Sequence, residues 1–146
     1  MIEAIGYKQF DTYFKQCNDL LKPGGLFCLQ AILINDHDYE RSKHEIDFMK
    51  QYIFPGGCLP SLGAITEAVG RVSNLELIDL HDIGLDYVTT LKYWLDNLHN
   101  QTPAIKALGF DDEFIRTWEY YFCYCSAGFQ SRHINDIQAV WLKREI

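Results

Sequence analysis

Apolar residues at Phe10, Tyr13, Phe14, Cys17, Leu20 and Leu21 recur at three- and four-residue steps, the spacing of one helical face. Lys22 suits the end of that helix, and Pro23-Gly24-Gly25 stops it. Leu26–Ile34 then runs almost unbroken in apolar residues, which predicts a strand buried on both faces. Asn35 to Ser42 is polar and reads as a loop, and Lys43–Ile53 is predicted helical, with Ile46, Met49, Tyr52 and Ile53 on one side. Ser61 is a good N-cap for a helix through Val72, carrying Leu62, Ile65, Val69 and Val72 inward. Leu75–Leu80 predicts a strand, followed by a turn at His81–Gly84. Tyr87, Leu91, Trp94, Leu95 and Leu98 form a helical stripe that Thr102-Pro103 should end. Phe114, Trp118, Tyr121, Phe122, Cys125 and Phe129 form another, and Ile137–Leu142 a last strand. Met1–Gly6 reads as the tail of a strand or a strand-to-helix loop. About three strands beside helices place the chain in the α/β class.

Between the second and third predicted helices lies Tyr52-Ile53-Phe54-Pro55-Gly56-Gly57-Cys58-Leu59-Pro60-Ser61. Pro55 and Pro60 fix φ, Gly56 and Gly57 allow sharp reversal, and the flanking side chains are too apolar for an ordinary surface turn. Such a segment is a fixed loop that shapes a pocket wall, or a tight connection between two helices.

Composition narrows the classes. The 146 residues make one domain with a single substantial core, and 48% hydrophobic content with 14% aromatic content is that of an ordered globular chain. A net charge of −7 argues against nucleic-acid binding and against generic adhesion to anionic membranes. The longest apolar run is too short to cross a bilayer and no secretory leader is evident, so a cytoplasmic location is expected. Cys17, Cys28, Cys58, Cys123 and Cys125 show no zinc spacing and read as reduced thiols. The scattered histidines offer no metal site, and Asp36-His37-Asp38 reads as solvated.

No Gly-rich loop follows a strand; Pro23-Gly24-Gly25 follows a helix and precedes a strand, the reverse of a nucleotide-binding turn. Tyr52–Ser61 nevertheless resembles the YIFPGGxLPS signature of the cyclopropane-fatty-acyl-phospholipid and mycolic acid cyclopropane synthases. Met1–Gly6, Leu21–Gly25, Asp86–Leu91 and Phe114–Trp118 match the same family in order, so the similarity covers essentially the whole chain. The resemblance implies a methyltransferase dependent on S-adenosylmethionine, acting at a cis double bond of phospholipid acyl chains. It implies the C-terminal half of a class I, Rossmann-like methyltransferase fold, with its last strand antiparallel and a helical insertion that covers substrate. On that reading residues 1–146 form one segment whose cofactor-binding half is absent, the isolated chain is inactive, and the intact enzyme touches the membrane peripherally at its inner face. Self-association is expected, because Leu26–Ile34 would lack a neighbouring strand. A non-catalytic lipid-binding or interaction module, and a methyltransferase for another small molecule, remain alternatives.

Four residues carry the site expectation. Glu3 is the sole charge in its hexapeptide and could simply cap the next helix; its family counterpart helps hold a bicarbonate ion. Gln30 interrupts an apolar strand, where a buried amide needs partners. The family carries His there, so Gln30 is expected to bind the ion without titrating. Ile32 matches a residue that contacts the ion through its backbone, and Tyr87 a tyrosine whose hydroxyl does so. Phe54, Leu59, Trp94, Phe114, Trp118 and Tyr121 would suit an acyl tunnel, and each would equally suit plain core packing.

Overall fold

The structure is a computed structural model that describes residues 1–145. It divides into two compact units, one formed by Met1–Ile83 with the chain from Ile134 onward, the other by Gly84–His133.

The first unit opens with a helical turn, α1 (Ile2–Ile5), where a strand tail was expected; Gly6 at φ 73° ends it. A 3-10 turn at Tyr7–Gln9 leads into α2 (Phe10–Leu20), and β1 (Leu26–Ile34) follows as predicted. The polar stretch after it is helical, α3 (Asp36–Ser42), with Asp36 and Asp38 at the end where an acid complements the helix dipole. The helix expected over 43–53 shrinks to a π-helical turn at Met49–Ile53. There the Asp47 carboxylate takes the Lys50 N–H at 2.9 Å, and Phe54 N–H closes the wide turn onto Met49 O at 2.7 Å. After α4 (Leu62–Val72), β2 (Leu75–Asp82) continues through His81 and Asp82, which sequence had placed in a turn. The last strand, β3 (Ile134–Lys143), begins before its most apolar stretch.

The sheet order is β1-β3-β2, with β3 antiparallel to both neighbours. In β1 the side chains of Leu29, Ala31 and Leu33 pack inward with Ile137, Ala139 and Trp141 of β3, against Phe10 and Phe14 of α2 and Ile65, Ala68 and Val69 of α4. Leu26, Cys28 and Gln30 point to the opposite face and are exposed. The strand expected to be buried on both faces is therefore buried on one along this stretch, because α2 and α4 both join the core on the same side.

The second unit is a helical pair, α5 (Asp86–Ala107) and α6 (Asp112–Gln130). Pro103 does not end α5 as predicted. It removes one donor, while Thr102 Oγ1 donates to Leu98 O at 2.9 Å and the helix runs on until Gly109, at φ 98°, turns the chain. Asp111 caps α6 by accepting the Phe114 N–H at 2.9 Å. Among the described residues no helix is long and apolar enough to cross a membrane.

Candidate anion-binding site on the first strand

The proline-glycine loop ties α1 to the free side of β1. Cys58 N–H donates to Glu3 O at 2.7 Å, and Pro60 O accepts the Ile34 N–H at 3.0 Å. Gly56 turns at φ 82°, and a side chain on Gly57 would press within 3.0 Å of Phe54 O. The loop is split in character: Tyr52 and Phe54 are exposed, whereas Cys58, Pro60 and Ser61 are buried.

This loop brings Glu3 against the strand. Its Oε1 accepts the Ile32 backbone N–H at 2.8 Å, and Oε2 accepts from the N-terminal ammonium at 2.8 Å. Glu3 therefore does not cap the following helix. Burial pushes its carboxyl up, but the ammonium, its own backbone N–H and the Ile32 N–H together hold it below the usual value. It is an anion at neutral pH.

Gln30, on the same strand face as Ile32, turns its amide toward β3, where Nε2 donates to Asp136 Oδ2 at 2.9 Å. Its Oε1 meets Gln138 Nε2 at 3.4 Å, and Asp136 stands opposite Ile32 in the antiparallel register. Asp136 is fully buried, so its carboxylate fixes which way the Gln30 amide points and leaves the second Nε2 hydrogen for another acceptor. Sequence reading missed Asp136 because the last strand was started at Ile137. An acid between Ile134 and Ile137 was the available signal.

Glu3, Ile32 and Gln30 thus gather on one strand. Tyr87 lies in the second unit, in the first turn of α5, where its ring stacks on Phe129 with centroids 5.1 Å apart. In the same unit, burial pushes the Tyr121 phenol up to about 12, so it stays a neutral hydroxyl. Asp36, read as solvated, accepts the Gly63 N–H at 2.9 Å at the start of α4. Among the described residues no cluster could hold a metal ion, and all five cysteines are free thiols.

The family model described as mycolic acid cyclopropane synthetase matches residues 1–139. The chain belongs to that family. A tuberculostearic acid methyltransferase of Mycobacterium tuberculosis is 36% identical over 138 residues, covering 94% of this chain and 32% of that protein. A cyclopropane-fatty-acyl-phospholipid synthase of Escherichia coli K12 is 34% identical over 142 residues, 97% of this chain and 35% of its own length. The cyclopropane synthase-like chain thus spans about a third of these relatives.

Solved structures agree on the fold. A cyclopropane synthase from Mycobacterium tuberculosis superposes with a TM-score of 0.84 at 20% identity, over 97% of this chain and 52% of its own. A mycolic acid cyclopropane synthase complexed with SAH and CTAB gives 0.84 at 23% identity, over 97% and 52%. The β1-β3-β2 sheet with its antiparallel last strand is the part of the methyltransferase fold that the family resemblance implied.

Proposed function

We propose that this chain is the substrate-side part of a cyclopropane-fatty-acyl-phospholipid synthase, which places a methylene from S-adenosylmethionine across a cis double bond of a phospholipid acyl chain. The observation that carries the reading is the Glu3 carboxylate, held on the Ile32 amide at 2.8 Å within a chain of this family. Ring closure on a methylated double bond requires a base that removes a proton from the new methyl group. A carboxylate accepts and does not donate, so its natural companion is an anion carrying its own O–H, and hydrogen carbonate has that property. Glu3 would accept that O–H, the spare Gln30 Nε2 hydrogen would donate, and the bound ion would supply the base; Tyr87 enters this reading through the family resemblance alone. Gln30 cannot titrate, so any proton leaves through the ion and not through this strand.

The cofactor itself does not fit the described residues. Gly24-Gly25 leads from α2 into β1 and Gly56-Gly57 lies in the loop before α4, so neither pair forms a glycine-rich turn from a strand into a helix. Cofactor binding is accordingly assigned to a further segment, and this chain alone is expected to be inactive. The enzyme works at the membrane surface, and the isolated chain pairs with itself.

The test uses a longer protein that binds the cofactor. Glu3→Gln and Tyr87→Phe are each expected to slow formation of cyclopropane product, by about a hundredfold as for loss of general-base help, with cofactor affinity unchanged. Equal losses in affinity and turnover would assign these residues to folding instead.

A further inference from the structure

Among the described residues two polar side chains are buried, Ser61 and Asp136. Ser61 caps α4. Asp136 caps nothing. It stands at 0% exposure near the start of β3, on the face opposite the Ile137, Ala139 and Trp141 side chains that enter the core. A carboxylate taken wholly out of water is costly to a fold, and an apolar side chain of similar volume would cost less. Stability alone does not account for an acid here; its contact does.

That contact is the Gln30 amide. Gln30 Nε2 donates to Asp136 Oδ2 at 2.9 Å, and Gln30 Oε1 accepts from Gln138 Nε2 at 3.4 Å. A carboxylate accepts and an amide nitrogen donates, so one orientation of Gln30 meets both neighbours and a half-turn of its amide meets neither. The bond to the carboxylate is the shorter and the stronger of the two, and it sets the orientation. The Gln138 contact alone is too long to keep an exposed amide from turning. Register brings the pair to the anion site: Gln138 is the cross-strand partner of Gln30, and Asp136 that of Ile32, whose N–H holds Glu3 at 2.8 Å.

We propose that Asp136 is a positioning residue, which keeps a Gln30 N–H and not its carbonyl oxygen available to the hydrogen carbonate ion. An oriented amide can then stand where the family resemblance places a histidine. The role toward the ion rests on the anion-site reading above; the orientation of Gln30 does not.

Nitrogen-15 spectra of the full chain report on the Gln30 side-chain amide, identified by its loss in Gln30→Leu, with hydrogen carbonate as the probe. A downfield Nε2 proton is expected without the ion, and a further shift of the Gln30 side-chain and Ile32 backbone signals when it is added. Asp136→Leu should abolish both effects. Asp136→Asn keeps one carbonyl oxygen, so it should restore part of each and stands in if the leucine variant does not fold. In the longer protein, Asp136→Leu is expected to raise the hydrogen carbonate concentration for half-maximal rate about tenfold, as for loss of one directed hydrogen bond, with the cofactor KM unchanged. It should add nothing once Gln30 is replaced by leucine, because a residue that acts through Gln30 has no effect without it. A Gln30 signal indifferent to both Asp136 variants, no response to hydrogen carbonate, or a loss that persists undiminished in the Gln30→Leu background would overturn the proposal. If Glu3→Gln slows turnover and Asp136→Leu does not, this inference fails alone. If Glu3→Gln leaves turnover untouched while the Asp136-dependent shifts remain, the catalytic reading fails and this one stands.

Discussion

At Glu3, three donors outweigh the cost of burying a charge. A carboxyl whose folded pKa lies below its unfolded value contributes stability that is present above the unfolded pKa and is lost as pH falls through the folded one. Urea midpoints of the chain are therefore expected to fall as pH drops through and below the ordinary glutamate value of about 4.3, and Glu3→Gln should flatten part of that acid limb. An unchanged limb in the variant would mean that the carboxylate gains nothing from its donors. Glu3 and Gln30 were both legible in the sequence for one reason, a lone polar group in an apolar setting. Their partners were not. The Ile32 contact uses a backbone N–H that no side-chain pattern records, and Asp136 reaches Gln30 only through cross-strand register.

Among the elements, α4 shows most plainly what a sequence can announce. Ser61 was read as its cap, and its Oγ accepts the Ala64 N–H at 3.1 Å while the residue is 1% exposed. Ser61→Ala is expected to cost about 1 kcal/mol, seen as a lower urea midpoint with an unchanged slope. The second cap, Asp36 on Gly63 N–H, comes from a helix that sequence had taken for a loop, and a long-range cap leaves no local signature. A Cβ on Gly63 would come within 2.6 Å of that carboxylate oxygen, so the glycine is the condition for the contact. Pro103 misled for the opposite reason. Its local signal is strong, but one missing hydrogen bond does not end a helix whose flanking turns are otherwise intact.

Across the whole molecule, the open side of β1 matters most. Ile32 and Ile34 donate away from β3, so the alternation of the ladder turns the N–H groups of Leu26, Cys28 and Gln30 the same way, where they meet no acceptor among the described residues. The Leu26–Gln30 part of this edge has no proline or charge against it and is a template for another strand, so the isolated chain should form a two-fold dimer. Light scattering over a dilution series should show a concentration-dependent mass, and Leu26→Lys should return it to monomer; a clean monomer at high concentration would count against the paired edge. The fold class was legible because the apolar runs and helical stripes are long, whereas one-sided burial was not, since a continuous apolar run looks the same whether or not its second face is covered. The sheet order has a further consequence in time. β3 is the last of the three strands to leave the ribosome, yet it is the one that hydrogen-bonds to both others. Until it arrives, β1 and β2 have no ladder with each other and Trp141 is missing from the core. Until β3 emerges, β1 and β2 would therefore lack their common partner, which makes the closing step one of high contact order.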